Sequence, residues 1–222
     1  MLLSRSALAI WNSVAEGKCE AFDDWHVNEH IPERLSVPGF LRGRRYLATD
    51  SDRYFTLYET TDSAVLSSAA YLERLNNPTP WTSLVVPLVT SRRRTALRVS
   101  ASLGSGIGGA LSTIEFGPAD GRGDALRRWI VEDALPNAVA APRIVAAHCG
   151  EADVDRSRLD TAEERLMDSP DDVARWVIML EGFDAAAARD AARLIQDELV
   201  DHGALPDTSV ETLTLTYLLE SK

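Results

Sequence analysis

Two histidines four residues apart, His26 and His30, with Glu29 just before the second, are the side chains here best suited to moving a proton. Residues four apart share one face of a helix, and imidazole is the side chain that changes charge near neutral pH. The alternative to chemistry is that each histidine only satisfies a local hydrogen bond. The same letters spell His-x-x-Glu-His, an inverted zinc-peptidase motif, and histidines at i and i+4 suit zinc. Pro32 limits that helix directly after the second histidine, however, and residues 100–110, where a third acidic ligand would fall, contain no acid. A metal is therefore not expected.

The elements that must hold this pair are legible as a repeat. Trp25-His26-Val27-Asn28-Glu29-His30-Ile31-Pro32 aligns with Trp129-Ile130-Val131-Glu132-Asp133-Ala134-Leu135-Pro136 at an offset of 104 (129 − 25), and Pro38 and Pro142 keep that spacing. Further on, Tyr58-Glu59-Thr60-Thr61-Asp62 matches Leu180-Glu181-Gly182-Phe183-Asp184 at 122 (180 − 58), so the second copy carries about 18 extra residues near 154–169. That stretch is rich in charge and is expected as a surface excursion with room for a short helix. The second copy also shows where the histidine face points. Phe22, His26 and His30 correspond to Leu126, Ile130 and Ala134, an apolar stripe, so the histidines replace core residues and look inward. Glu29 corresponds to Asp133. It is a candidate third member of the catalytic set, or a carboxylate that meets a backbone or arginine donor in both copies.

Hydrophobic periodicity places strands at 8–14, 39–49, 53–61 and 95–103, and helices at 18–31, 62–75 and 81–89. Asp62 is a good N-cap for the second of these helices. The second copy repeats the order, with strands at 110–116, 143–149, 175–180 and 209–219 and helices at 123–135 and 185–202. The fold class is α+β: βαββαβ twice, in units 1–104 and 105–222. One such unit leaves a sheet face needing cover, so the two copies are expected to close on each other as a fused, pseudo-dimeric α/β barrel. The Gly104–Gly109 run precedes a strand rather than a helix and reads as a linker, not a phosphate loop. If there is one active pocket, it belongs to the N-terminal unit.

Arg45 lies among apolar neighbours on strand 39–49 and is a candidate for holding a carboxylate or carbonyl oxygen. Trp25, Tyr46, Tyr58 and Trp81 are candidates for an aromatic, substrate-binding wall, with core packing as the alternative for each. Glu59 and Glu181 recur and read as structural. Arg92-Arg93-Arg94 reads as a solvated strand end, with an anion contact as the alternative. Nothing near His148 or His202 in the sequence suggests a role. Cys19 and Cys149 have no disulfide or zinc spacing and read as reduced, packed thiols.

The formal net charge of −11 repels phosphate backbones and argues against nucleic acid. No run approaches the ~20 apolar residues of a membrane span, and the start lacks a cationic leader, so no membrane partner is expected and a cytoplasmic location is.

The segment from Trp25 to Leu35, followed by Pro38-Gly39-Phe40 and Arg44-Arg45-Tyr46, resembles the dimeric α/β-barrel superfamily, and within it the EthD-like and antibiotic-biosynthesis-monooxygenase-like group. The resemblance is sharp over residues 8–61 and architectural elsewhere. It implies a ferredoxin-like fold and a pocket within the unit. It also makes His30, which fills the family's histidine position before Pro32, the expected acid/base, with His26 orienting it or holding substrate. The superfamily spans several chemistries and does not choose among them. The leading expectation is a cofactor-free enzyme (an isomerase, a dehydratase or an anthrone-type monooxygenase) acting on a small apolar or aromatic carbonyl compound. The alternatives are a non-catalytic ligand-binding or stress-response barrel, and a haem-binding barrel with His26 or His30 as axial ligand. The fused unit could further pair as a homodimer.

Overall fold

The computed structural model describes residues 1–167 and 176–222. The strands are β1 (Ser6–Val14), β2 (Phe40–Ala48), β3 (Arg53–Thr60), β4 (Val89–Gly104), β5 (Ala110–Phe116), β6 (Ile144–Asp153), β7 (Trp176–Gly182) and β8 (Ser209–Glu220). Their hydrogen-bonding order is β1-β3-β2-β8-β5-β7-β6-β4, which closes as a barrel. Within that order, β4-β1-β3-β2 and β8-β5-β7-β6 each show the 4-1-3-2 arrangement of a ferredoxin-like unit. β3 pairs antiparallel with β1 and β2, and β7 pairs antiparallel with β5 and β6. Residue 175, expected to begin β7, lies outside the described residues, as do 168 and 169 of the insertion.

Two compact units divide the chain, and their division falls inside β4, between Leu97 and Arg98, rather than at Gly104. The N-terminal unit holds Leu3–Leu97, residues 153–167 and Thr216–Lys222; the C-terminal unit holds Met1–Leu2, Arg98–Ala152 and residues 176–215. Strands β4 and β8 each contribute residues to both units. The insertion, though it follows β6 in sequence, belongs to the N-terminal unit.

Helix α1 runs over residues 19–35 in three segments: Cys19–Trp25, a π-helical turn His26–His30, and Ile31–Leu35. It does not end near Ile31. Proline has no N–H to donate and clashes with the preceding turn; the π turn absorbs this, with the Ile31 N–H reaching back five residues to the His26 carbonyl. The C-terminal unit repeats the device in α4, with segments Gly123–Trp129, Ile130–Ala134 and Leu135–Ala140. Between them come α2 (Ala69–Asn76) and α3 (Pro80–Val85). Asp62 caps only a short 3₁₀ turn, Ser63–Ser67, and Ser68 then caps α2, so the single helix expected over 62–75 is two pieces. A further short helix, α5, spans Val154–Ser157, and α6 spans Ala185–Leu199 behind its Asp184 cap.

Each helix layer covers one face of its own sheet. In the C-terminal unit, Leu126, Ile130, Ala134 and Leu135 pack with Ile114, Ile178, Leu180 and Ile195 in a continuous apolar core. In the N-terminal unit the core splits in two, one cluster around Leu8, Ile31, Phe40, Tyr58 and Tyr71 and another around Phe22, Trp25, Tyr54 and Val85. His26 and His30 occupy the positions of Ile130 and Ala134. The turns into β2 and β6 also correspond: Gly39 and Arg143 both have positive φ, +98° and 70°. A Cβ on Gly39 would sit 2.5 Å from Val65, so the Pro-Gly-Phe step requires its glycine. Among the described residues, no helix is long and apolar enough to cross a membrane.

Candidate functional site

The N-terminal unit holds a cavity of about 50 Å³ between α1 and its sheet, open to solvent at its mouth. Alternation along β1 turns Leu8, Ile10 and Asn12 into it, and alternation along β3 does the same for Thr56 and Tyr58. From α1 come Phe22, Trp25, His26, His30 and Arg34, and from β4 come Arg92 and Arg94. Gly43 on β2 lets α1 lie close: a Cβ there would come 3.1 Å from Ile31 and 3.2 Å from the Tyr58 ring.

The histidines are buried, 4% and 7% exposed, within a row of rings. His26 stacks on Phe22 at 4.9 Å between centroids, His30 lies 4.3 Å from Trp25, and the two imidazoles are 5.5 Å apart. Nδ1 of His26, Nδ1 of His30, the Tyr58 hydroxyl, Thr56 Oγ1 and Asn12 Nδ2 are all buried without a hydrogen-bond partner among the described residues. Buried polar atoms are normally paired, and five unpaired ones on residues lining one cavity mark a place where a polar ligand would satisfy them. Burial first, then the charges of Arg45 and Arg34, hold the His26 pKa well below the usual imidazole value. Burial, then Arg34, His26 and Arg92, do the same for His30. Both are neutral bases at neutral pH. Burial pushes the Tyr58 phenol well up, so it stays a neutral donor.

That electrostatic state has a measurable consequence for stability. Unfolded imidazoles titrate near 6.5; in the window below that, the unfolded chain binds more protons than the folded one, and stability rises with pH. The contribution is complete above pH 6.5 and is lost as pH falls toward the depressed folded values. Each histidine should contribute a slope of about 1.4 kcal/mol per pH unit. Glu33, whose pKa burial raises, adds the opposite slope nearer its ordinary 4.5. Urea unfolding at pH 7, 6 and 5 should show this loss, and a His26→Phe/His30→Leu double variant should be nearly flat; a flat wild-type profile would refute burial of neutral imidazoles.

Of the residues expected in catalysis or substrate binding, the cavity gathers Trp25, His26, His30 and Tyr58 and leaves Glu29, Arg45, Tyr46 and Trp81 out of its lining. Glu29 accepts from Thr79 Oγ1 (2.6 Å) and Thr82 Oγ1 (3.1 Å), and Thr82 also accepts the Trp25 indole N–H at 3.1 Å. Glu29 therefore fastens α3 to α1. Arg45 pairs with Asp23 and lies over the Tyr54 ring, 4.7 Å to its centroid. Tyr46 meets Arg44 at 3.1 Å on the opposite face of the sheet, and Trp81 is 38% exposed.

Two expectations are corrected here. The Arg92–Arg94 cluster is not a solvated strand end: Arg94 is buried and Arg92 pairs with Glu164. Nor is the insertion a surface excursion. Glu163, Glu164 and Met167 line the cavity, Glu163 pairs with buried Arg34, and the Glu163 N–H donates to the Leu75 carbonyl at 2.9 Å. Its acids are counter-charges to cavity arginines, which composition alone cannot distinguish from solvated ones. Burial opposes the Arg34 charge, but Glu163, Tyr71 and Glu33 together outweigh it and keep the guanidinium protonated. In the C-terminal unit His148, unreadable from sequence, takes the position of Arg44 and lies 2.9 Å from Glu181, as Arg44 lies 3.4 Å from Glu59. Among the described residues, no group of three or more His, Cys, Asp or Glu is arranged to hold a metal ion.

No family model and no curated protein matches the chain. Solved structures do. An anthrone oxidase-like protein superposes with a TM-score of 0.64 at 11% identity, over 97% of this chain and 93% of that one. A mutant chlorite dismutase from Candidatus Nitrospira defluvii gives 0.53 at 11%, over 96% and 92%. The chain shares its barrel fold with these proteins. A monooxygenase-like protein from Listeria innocua shares this barrel fold, with a TM-score of 0.50 at 8% identity over 95% of this chain and 94% of that one. Identities this low concern the barrel fold alone, so the chemistry must be argued from the cavity.

Proposed function

We propose that this chain is a cytoplasmic, monooxygenase-like enzyme in which His30 acts as a base on a small apolar or aromatic carbonyl compound. The observation that carries this is the set of unpaired polar atoms around one aromatic-lined cavity, two of them on neutral imidazoles. His30 would take a proton from a carbon made acidic by conjugation to the carbonyl, and the Tyr58 and Thr56 hydroxyls would donate to the oxygen that gains charge. The carbanion could regain the proton at another position, which is isomerisation. In the monooxygenase course dioxygen adds to the carbanion, the peroxide regains the proton, and loss of water leaves a new carbonyl. The likeness to an anthrone oxidase-like protein favours that course. We also propose that the chain is a tandem duplication whose C-terminal copy lost the polar site, since Ile130 and Ala134 stand where the histidines do.

The test is oxygen uptake by purified protein with an anthrone and no added cofactor. One dioxygen per product, abolished in a His26→Ala/His30→Ala variant, is the expected result. A ligand retained without conversion would replace the enzyme with a binding barrel. The chlorite dismutase likeness supports one other reading: a haem would be held through His26 or His30, which present neutral nitrogen donors, and would supply redox chemistry at iron. A Soret band in protein expressed with added iron would decide for it.

A further inference from the structure

The N-terminal unit buries five arginines, and four of them meet a carboxylate. Arg34 pairs with Glu33 and Glu163, Arg42 with Glu59 and Glu220, Arg44 with Glu59, and Arg45 with Asp23. Arg94 is the exception. It is 2% exposed, and among the described residues its guanidinium meets only neutral oxygens. Nη1 donates to the Arg156 and Ser157 carbonyls at 2.9 and 3.0 Å, and Nη2 reaches the Tyr71 hydroxyl at a long 3.4 Å. A guanidinium carries five N–H donors in a fixed fork, so these bonds orient it without neutralising it. A full charge out of water without an anion is costly, and this one lines the same cavity as His26, His30 and Tyr58.

We propose that the cavity takes a ligand bearing a carboxylate on an apolar or aromatic body, and that Arg94 receives the carboxylate. This rests on the reading of the cavity as a substrate site and names the class of substrate. Leu8, Ile10, Phe22, Trp25, Val86 and Val89 supply the wall for the body. Arg92 and Arg34 are already matched by Glu164 and Glu163, so among the described residues one cavity cation has no carboxylate partner. One such cation fits a singly charged group better than a phosphate ester, which carries up to two charges and three acceptor oxygens. The carbonyl bonds also explain the link to the insertion: by holding the chain at 156–157, Arg94 is fixed in place before a ligand arrives.

The experiment compares 2-naphthoate with 2-naphthamide, equal in shape and different in charge, by quenching of tryptophan fluorescence, since Trp25 lines the cavity. Wild-type protein should bind the carboxylate at least ~10-fold more tightly, a loss of about 1.4 kcal/mol for the amide. Arg94→Gln should bring the two within about twofold, while His30→Ala should keep the preference. Equal affinities in the wild type, no binding of either, or a preference that survives Arg94→Gln overturns the proposal and leaves Arg94 as a strut for the insertion. The wild-type comparison needs no variant, so an Arg94→Gln chain that fails to fold does not shield the idea. A carboxylate preference in protein that turns over no carbonyl compound would retain this inference and remove the catalytic one.

Discussion

His30→Ala lowers kcat/KM by about 10²–10⁴, the contribution general acid–base catalysis ordinarily makes, while ligand binding falls much less. The two histidines separate in a way that a shared packing role would not produce. Burial and nearby cations hold His30 well below 6.5, so the wild-type kcat/KM profile should stay on its plateau below pH 6.5 before its acid limb falls. His26 is one of the groups that depress His30. Its replacement should therefore move that limb upward in pH and cost less, roughly tenfold, as expected of a residue that positions another. Turnover in His30→Ala within about threefold of wild type would remove the base from the mechanism. An acid limb unmoved in His26→Ala would remove the electrostatic coupling alone.

What the sequence made legible was the part of the fold written in rare residues. Trp25 with Trp129 and Pro32 with Pro136 keep one spacing, and the same spacing relates the start of α1 and both ends of its π turn to those of α4. Because Ile130 and Ala134 are plainly apolar, the inward direction of His26 and His30 could be argued without coordinates. The rest depended on partners distant in the chain. Glu29 read as catalytic because it adjoins His30, yet its carboxylate turns to Thr79 and Thr82, 50 and 53 residues away. Arg94 read as solvated because three arginines in a row usually are, and only strand alternation inside an enclosed layer buries one of them. The insertion was hardest of all. Glu163 lies 129 positions from Arg34, and no local pattern announces such a pairing. The signal that could have pointed to it was the run of arginines at 92–94 with no nearby acids in the sequence to match them.

Glu163→Ala should be the most destabilising single change in the N-terminal unit. Arg34 is 2% exposed, and Glu163 is its buried counter-charge; Glu33, the second partner at 3.1 Å, is half-buried and more weakly placed. Removing one member of a buried pair strands the other and typically costs about 3–5 kcal/mol. At roughly 2–4 °C per kcal/mol for a chain of this size, the melting temperature should drop by some 6–20 °C. The loss should spread beyond the pair, because the Glu163 backbone also ties the insertion to Leu75, and Glu164 and Met167 complete the cavity wall. Glu163→Gln keeps an acceptor and should lose less. The decisive arm is Arg34→Met/Glu163→Ala: with no charge left to strand, it should recover a large part of the stability lost in Glu163→Ala alone. If the double variant is as unstable as the sum of its singles, the pair is not coupled and the insertion is held by its backbone contacts. If it recovers stability but loses binding of a cavity ligand, the ion pair serves the shape of the site rather than the survival of the fold.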